Sequence, residues 1–528
     1  MDTSIGISKC LSTERTVTST AKYKIGYSEK FGRYMVATKP LAAGDIILRE
    51  EPAAVGPSIY ENQNFCFACM RTIQNSPMQY YCSKCKVVPL CGPACEKIFM
   101  HHTTDECNLF RSGKNVTSKA VPQILQILLP LRLWLIKLKD NETWTRIKNM
   151  ESHIDKRRGT NVWMSIEMQV INAFEEYKLH PENVEDPTEF LQFLSGILDV
   201  NSFEVRSPGD AIRSTRLLRG LYVEAALMAH SCKANTHVTI DENFLMTIYA
   251  SVPINKDDAI FFNYTSCLLG SAERREHLRH GKYFECECTV CKDPREDSSN
   301  LSSLLCPRCK EGFVVIKNPL TTDPYSRRSS WKCCHCQKQF HGNMIKYTLD
   351  IARSLVDDTD PEDLKETENL LSKLSRSLHT NHYLMLILKQ RLLAAYKRYI
   401  RIMDLDSEIL QKAVNLCNEV LNVLDIVEPG ISRLKGITLY EKHLPLVIMA
   451  NLAYVSKEIA ADELVSRLEE AADILRAALK ILLLDPIATP EGRLAKCALQ
   501  ELKSLMESIA DAKILRLTET KKKMVLED

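Results

Sequence analysis

Residues 66–107 read CFACMRTIQNSPMQYYCSKCKVVPLCGPACEKIFMHHTTDEC, and this stretch is the strongest indication of the fold in the sequence. Six of its seven cysteines form pairs with gaps of two or three residues, and two histidines precede the seventh. Each such pair can supply two corners of a tetrahedral zinc site, so eight ligands predict two zinc ions. Cysteines that merely filled a core would not repeat these gaps beside polar residues. The predicted ligands are Cys66, Cys69, Cys82, Cys85, Cys91, Cys95, His102 and Cys107.

Further cysteines downstream extend this pattern. Three closely spaced cysteines lie near the middle of the chain, at Cys286, Cys288 and Cys291. Two more x2 pairs flank Gly312 and the apolar run 314–316, which is typical of a zinc ribbon whose two knuckles hold one metal. All four corners of the ribbon are thiolates, so its zinc is expected to be structural. The ribbon ligands are Cys306, Cys309, Cys333 and Cys336.

Composition limits the possible classes of protein. A chain of 528 residues is too long to fold around a single hydrophobic core, so several modules are expected. The 69 basic and 67 acidic side chains leave a net charge of +2, which gives no long-range attraction to nucleic acid or to an anionic membrane. The basic run 274–280 is preceded by Glu273 and interrupted by Glu276, and this favours a solvated helix face over a nucleic-acid site.

The 20 cysteines could also suggest disulfides, but the first residues, MDTSIGISKC, show no secretory signal pattern. A reducing compartment, cytoplasm or nucleus, is therefore expected. The most apolar stretch, 124–138, is interrupted by Pro130, Arg132 and Lys137 and is too short to cross a bilayer. It predicts a buried helix, and no membrane contact.

Hydrophobic periodicity predicts the order of the elements. Residues 22–55 alternate as in β-strands, residues 119–200 carry helical spacings, and β-like runs return over 217–264. From about residue 345 to the end, the sequence is helical, poor in glycine and rich in leucine and alanine. Helix pairs of this size favour a repeat-like array, although no strict 34-residue repeat is present.

Several motifs in this order resemble one family. The stretch 32–45 resembles the opening strands of a SET domain, and 66–107 resembles a MYND zinc finger inserted in it. Asn201-Ser-Phe203 and His230-Ser-Cys232 resemble the SET elements that contact S-adenosylmethionine, and Tyr264 matches the catalytic tyrosine. The chain thus resembles the SET-and-MYND family of protein-lysine methyltransferases, in the diverged arthropod style with an added zinc ribbon.

The resemblance implies an α+β multidomain architecture. A mostly-β SET fold would be split by the MYND finger and a helical insert, and followed by a zinc-bound post-SET segment, the ribbon and a C-terminal α-helical, TPR-like array. The implied boundaries are an N-terminal tail at 1–21, the SET N-terminal part at 22–62, MYND at 63–110, the helical insert at 111–198, the SET core at 199–266, post-SET at 267–295, the ribbon at 300–342 and the helical domain at 345–528.

The resemblance also assigns roles to residues. Tyr264 is the implied catalytic residue, and Cys286, Cys288 and Cys291 would complete a zinc tetrahedron with Cys232. The cofactors would be zinc and S-adenosylmethionine. The partner would be a protein or peptide with a target lysine, a histone being one candidate, and the MYND and helical modules could hold peptide ligands. The implied cofactor-binding residues are Gly32, Arg33, Asn201, His230 and Phe284.

Four positions depart from the family pattern. Tyr34 replaces the second glycine of Gly-x-Gly and would fill space near the cofactor. Ala229 replaces an asparagine and removes one amide hydrogen bond, so a weakened cofactor site is expected. Lys282 replaces a common aromatic residue and brings a positive charge near a cationic cofactor. Thr103 stands where the family has its zinc histidine, and we favour His102 over His101 because it lies closer to one helical turn before Cys107.

Three functions remain open from the sequence. The first is an S-adenosylmethionine-dependent protein-lysine N-methyltransferase. The second is a catalytically inactive adaptor or transcriptional co-regulator, in which the MYND module and the helical array bind partners. Tyr34 and Ala229 favour the second. The third, a zinc-containing nucleic-acid-binding protein, has little support from charge. We expect the first, with weak activity.

Overall fold

The fold is described from a computed structural model, which describes residues 21–58, 64–73, 79–98, 101–179, 181, 184–209, 218–402 and 407–527. The predicted N-terminal tail lies outside these residues except for its last position. In the first 300 residues the strands are β1 (Tyr23–Ser28), β2 (Gly32–Ala37), β3 (Ile46–Glu50), β4 (Ala54–Pro57), β5 (Tyr80–Tyr81), β6 (Pro89–Leu90), β7 (Phe203–Val205), β8 (Leu218–Leu221), β9 (Ala229–His230), β10 (Thr236–Ile240), β11 (Met246–Ala250) and β12 (Phe261–Phe262).

The helices of the same part fall mainly between β6 and β7, as the helical spacing predicts. A π-helical segment, Glu167–Ile171, joins α6 to α7. The helices are α1 (Pro93–Ile98), α2 (Thr104–Ser112), α3 (Val121–Lys139), α4 (Asn141–Ile147), α5 (Ile154–Arg157), α6 (Asn161–Ile166), α7 (Asn172–Glu176), α8 (Pro187–Asn201), α9 (Ser271–Lys282) and α10 (Thr289–Lys292).

The β domain is assembled from segments far apart in the chain. β10 and β11 form an antiparallel hairpin that pairs with β3 in the order β10-β11-β3, and a second sheet has the order β4-β8-β7. Along β10 the side chains alternate between buried and half-buried, because successive residues of a strand face opposite sides of the sheet. The two β segments predicted on either side of the insert therefore form common sheets.

Helix α3 is the core helix of this domain. The sequence predicts it as a buried helix, and its apolar residues lie in the same core as β4 and β8. By length and composition the segment 118–139 could cross a membrane, so the prediction that this apolar stretch is too short to do so is wrong. However, 61% of its most apolar part is buried inside the protein. Gly56 of β4 lets α3 approach closely, since a Cβ there would lie 2.8 Å from the Leu129 side chain.

A short parallel contact determines the geometry of the central region. β12 pairs with β9, so that Phe261 lies opposite Ala229 and Phe262 opposite His230. The Asn235 side chain fixes this pairing, because its Oδ1 accepts from the Phe261 backbone N–H at 2.7 Å and its Nδ2 donates to the Ala259 carbonyl at 2.9 Å. Backbone bonds from the 258–260 segment to β2 hold the same region from the other side.

The remaining chain forms a small sheet and a helical region. The sheet has the order β13-β14-β15-β16, with strands β13 (Leu304–Leu305), β14 (Phe313–Ile316), β15 (Ser330–Cys333) and β16 (Gln339–His341). Consecutive helices of the C-terminal region pack against one another. They are α11 (Gly342–Asp358), α12 (Leu364–Leu374), α13 (Tyr383–Ile402), α14 (Ser407–Val427), α15 (Arg433–Val455), α16 (Ala461–Leu482) and α17 (Pro490–Glu527). The prediction of a multidomain α+β fold with a C-terminal helical region is confirmed.

The helical region contacts the β domain through half-buried arginines and buried carboxylates. Arg206 donates to both carboxylate oxygens of Glu491, at 2.5 and 2.9 Å. Arg433 donates to Asp485 at 2.8 Å and to the backbone carbonyl of Val238 in β10 at 2.9 Å. These bonds place the start of α15 and of α17 against the strands that line the central cavity described below.

Candidate functional site

The residues predicted for catalysis and cofactor binding converge on one large cavity of about 1820 Å³, here called the central cavity. It extends from the β domain toward the helical region. Of the six residues predicted from the family resemblance, all line it. They are Gly32, Arg33, Asn201, His230, Tyr264 and Phe284.

Tyr264 is held directly beside His230 because it follows β12, which pairs with β9. The backbone N–H of Tyr264 donates to His230 Nδ1 at 3.1 Å, and the Tyr264 hydroxyl donates to the Met228 carbonyl at 2.5 Å. Burial raises the pKa of the Tyr264 hydroxyl well above its ordinary value. The phenol is therefore neutral at physiological pH and available to orient a ligand.

The hydrogen bond to His230 also determines the tautomer of this side chain. Since Nδ1 accepts a hydrogen bond from a backbone N–H, a neutral His230 carries its proton on Nε2. Nε2 lies 3.5 Å from Cys232 Sγ, so the imidazole can donate to that sulfur. His230 thereby links the cavity wall to a cysteine cluster, an arrangement in which a second group orients a metal ligand.

Aromatic rings form the wall around Tyr264. The ring centroids of Tyr264 and Phe284 are 6.5 Å apart and perpendicular, and Phe262 lies 6.2 Å from Tyr264 on another side. Phe203 packs on Phe262 at 5.5 Å, and His230 lies 5.9 Å from Phe284. Rings in this arrangement exclude water, so a cation entering the cavity would lose hydration. The wall around Tyr264 is therefore aromatic and consists of Phe203, Phe262, Phe284 and His230.

A loop that the sequence analysis did not identify also lines the cavity. Residues 149–153 follow α4, and Met150, Glu151 and His153 face the cavity. Two predicted cofactor residues hold the loop: Arg33 donates to the Asn149 carbonyl at 2.6 Å, and Asn201 Nδ2 donates to the Glu151 carbonyl at 2.9 Å. No spacing or metal-ligand pattern marks this loop, and its place in a helical insert gave no signal.

Asn201 retains one free polar group. Its Nδ2 is used by the Glu151 and Ile197 carbonyls, at 2.9 and 2.8 Å. Its Oδ1 accepts no hydrogen bond from any residue that the structure describes. An acceptor oxygen at the cavity wall fits a polar, hydrogen-bond-donating part of a cofactor.

Four clusters bring together the sixteen predicted zinc ligands, with all ligand atoms of a cluster within 4.8 Å of one another. Sulfurs around a zinc with Zn–S bonds of about 2.3 Å would lie about 3.8 Å apart. Representative distances are 3.8 Å for Cys82 to Cys107, 3.9 Å for Cys232 to Cys286 and 3.7 Å for Cys309 to Cys333. The donor sets therefore fit zinc. The clusters are Cys66, Cys69, Cys91 and Cys95; Cys82, Cys85, His102 and Cys107; Cys232, Cys286, Cys288 and Cys291; and Cys306, Cys309, Cys333 and Cys336.

The geometry favours His102 over His101 as the zinc ligand. His102 Nε2 lies 3.8 Å from Cys85 Sγ, while its Nδ1 lies 2.8 Å from the buried carboxylate of Glu106. Arg132 of α3 bonds to the same carboxylate at 2.8 Å. A histidine ligand held by a carboxylate is the usual second layer of a zinc site. His101 instead packs against Phe244, and burial lowers its pKa to about 4.

The departures from the family pattern occupy different places. Tyr34 is not among the residues that line the cavity: its ring covers Gly26 across the β1–β2 hairpin and lies 5.4 Å from the Phe31 ring. The prediction that the Tyr34 ring fills space near the cofactor is therefore wrong. Tyr34 pairs with Gly26, which has no side chain, so the ring can pack over Gly26 on the neighbouring strand. Ala229 does line the cavity, and so does Lys282.

Comparison with known proteins agrees with this arrangement. The family profile described as SET domain matches residues 32–265. A Drosophila melanogaster protein, SET domain-containing protein SmydA-8 isoform A, is 27% identical over 336 residues, covering 62% of this chain and 67% of that protein. The Arabidopsis thaliana histone-lysine N-methyltransferase ASHR1 is 22% identical, covering 84% and 89%. Human N-lysine methyltransferase SMYD2 is 23% identical, covering 51% and 60%.

The strand pairing around Tyr264 and the profile match define a SET-domain protein of the protein-lysine N-methyltransferase class. The relatives indicate the group more narrowly: the chain is similar to the proteins SmydA-8 and SMYD2, and it carries four clusters that could hold zinc.

Proposed function

We propose that this chain methylates a lysine side chain of a protein, using S-adenosylmethionine, at the Tyr264 end of the central cavity. The observation that supports it most is the convergence of His230, Tyr264 and Phe284 on one wall, joined through His230 to the Cys232 cluster. S-adenosylmethionine, when bound, supplies a methyl group activated on a sulfonium sulfur.

The residues of the wall would promote the reaction by desolvation and orientation. Phe203, Phe262 and Phe284 surround the site with apolar surface, which favours a neutral over a charged target amine. Tyr264 remains protonated because burial raises its pKa, so it orients the reacting groups rather than removing a proton. Gly32, Arg33 and Asn201 would hold the cofactor together with the 149–153 loop.

We propose that the cofactor site is weakened at one position rather than two. Ala229 lines the cavity and has no side-chain amide, so a polar group of the cofactor loses one partner, a loss of about 1 to 3 kcal/mol. Tyr34 packs on Gly26 outside the cavity and leaves the space near Gly32 open. The protein therefore binds its cofactor, with reduced affinity.

The substrate is proposed to be a protein, and a histone is one candidate because the relative from Arabidopsis thaliana is described as a histone-lysine methyltransferase. The MYND clusters and the helical region are proposed to hold peptide segments of partners. We place the protein in the cytoplasm or nucleus, since fifteen cysteine ligands would oxidise in a secretory compartment.

Calorimetric titration of the zinc-loaded full chain with S-adenosylmethionine and S-adenosylhomocysteine tests the cofactor site. A lysine-peptide array with labelled cofactor tests the transfer. Binding of both ligands together with label on at least one lysine peptide is the expected result. Absence of binding and of transfer would contradict the proposal and favour an adaptor that acts through its MYND and helical modules.

A further inference from the structure

Lys282 places an amine inside the central cavity. It is the last residue of α9, and its Nζ donates to the backbone carbonyls of Asp199 at 3.2 Å and Val200 at 2.5 Å, in the last turn of α8. The same Nζ lies 5.9 Å from the centroid of the Tyr264 ring. The amine therefore stands between the end of the helix that carries Asn201 and the tyrosine at the centre of the proposed chemistry.

Carbonyl dipoles hold this amine, and no carboxylate of the described residues lies within 4.0 Å of it. The nearby Asp199 carboxylate is already bonded to Arg157 at 2.9 Å and to Arg219 at 2.8 Å. A cation at a helix C-terminus is stabilised by the helix dipole, which explains how the ammonium is accommodated. Among the described residues no group of opposite sign forms an ion pair with it, so it contributes a positive potential to the cavity.

We propose that Lys282 determines how the cavity discriminates between the cationic cofactor S-adenosylmethionine and its neutral thioether product, S-adenosylhomocysteine. This inference rests on the proposed function. The two ligands share the adenosine and amino-acid groups and differ by one methyl group and the sulfonium charge. An ammonium beside the Tyr264 ring repels the sulfonium, whereas the thioether carries no charge on sulfur for it to act on.

The partly buried position makes this repulsion strong enough to measure. Charges in a water-excluded site interact more strongly than charges in water, because the local dielectric is lower. We expect the Lys282 charge to lower the affinity for the sulfonium form, relative to the thioether form, by about tenfold, which corresponds to about 1.4 kcal/mol.

The protonation state of Lys282 gives a second readout. Burial lowers the pKa of its amine to about 8, with Asp199 and Glu204 acting to raise it and Arg219 to lower it. The amine is mostly charged at pH 7 and mostly neutral at pH 9. The relative affinity for S-adenosylmethionine should therefore increase as the pH rises through this range.

Two variants separate a charge effect from a structural role. Lys282→Met keeps an unbranched side chain that is one atom shorter and removes the charge, and Lys282→Arg keeps the charge and N–H donors for the α8 carbonyls. Dissociation constants for both ligands are measured by calorimetry on the zinc-loaded full chain at pH 7 and pH 9. The ratio of the two constants is the quantity of interest, since a merely structural role changes both constants together.

The expected result is that Lys282→Met shifts the ratio about tenfold toward S-adenosylmethionine at pH 7, while Lys282→Arg leaves it unchanged. The ratio of the wild-type protein should shift in the same direction between pH 7 and pH 9, beyond any shift seen in Lys282→Met, which reports the titration of the ligands themselves. If Lys282→Met does not fold, the shift of the wild-type protein beyond that of Lys282→Arg decides.

Equal ratios in all three proteins at pH 7 would overturn the inference about Lys282. So would a wild-type ratio that changes between pH 7 and pH 9 no more than the ratio of the variants does. The proposed function would survive that outcome, because both ligands would still bind. Failure of either ligand to bind any of the three proteins would refute the proposed function and the inference together.

Discussion

Tyr264 is the residue on which the proposed chemistry depends, because it lines the central cavity and its hydroxyl is held by the Met228 carbonyl. Tyr264→Phe should lower methyl transfer at least about tenfold, while the affinity for the cofactor stays nearly unchanged, because the hydroxyl acts on the reacting centre. Single-turnover rates and calorimetric binding measure the two effects. Tyr249→Phe is the matched control, since Tyr249 lies on β11 outside the cavity. Equal transfer by Tyr264→Phe and wild type would remove Tyr264 from the mechanism.

Ala229 and Tyr34 should respond differently when the family residues are restored. Ala229→Asn returns an amide to the cavity wall and should tighten S-adenosylmethionine by about 1 to 3 kcal/mol. Tyr34→Gly should leave that affinity unchanged and lower the melting temperature, because a strand glycine costs about 0.5 to 1 kcal/mol and the ring contact with Gly26 is lost. Titration and thermal melting of each variant measure this. A wild-type dissociation constant of about 1 µM or lower would contradict the weakened site.

The residues at the site differ in how readily the sequence reveals them. Tyr264 and His230 were predicted because their motifs lie in a fixed order, and the structure brings them together through β9 and β12. The direction of the Tyr34 ring was not predictable, because it depends on the register that places Tyr34 opposite Gly26. The 149–153 loop was missed because its backbone carbonyls, rather than a pattern of side chains, connect it to Arg33 and Asn201.

At the scale of elements, the Cys232 cluster connects the segment after β9 with α10. Its ligands come from residues more than fifty positions apart, so a bound zinc closes a long loop beside the cavity. The cysteine spacing gave three of its ligands, and only the family resemblance indicated the fourth, because a single distant cysteine has no local pattern. The His102–Glu106–Arg132 chain was likewise invisible in the sequence, since Arg132 reaches it from α3.

Substitution at this cluster should be more damaging than substitution of an unclustered thiol. Cys232→Ser should lose about one zinc per chain and lower the melting temperature, because the remaining thiolates cannot complete the tetrahedron. It also removes the sulfur that His230 approaches, so cofactor affinity should fall. Cys334→Ser is the control, since Cys334 is exposed and belongs to none of the four clusters. Comparable melting and zinc content of the two variants would contradict this assignment.

For the whole molecule, the four clusters predict four zinc ions per chain. Elemental analysis of the purified, folded protein should find about four, since structural zinc of this type contributes folding free energy directly. A chelator should remove zinc first from the clusters that have two or more exposed or half-buried ligands, which are the Cys66 cluster and the ribbon. It should remove zinc later from the Cys232 cluster, where three of the four cysteines are buried. Two or fewer zinc ions in a protein that melts cooperatively would exclude the Cys232 and ribbon sites.

The pairing of β3 with β11 has a consequence for synthesis of the protein. The two strands are separated by roughly 200 residues, which a ribosome adds in about 10 to 40 s. During that time β3 and β4 have emerged without their partners, and their unpaired edges can associate with other chains. The zinc-binding residues 66–107 emerge in the meantime and can fold around their metal before the sheets close. Newly made chains are therefore exposed to edge-to-edge association until β11 has left the ribosome.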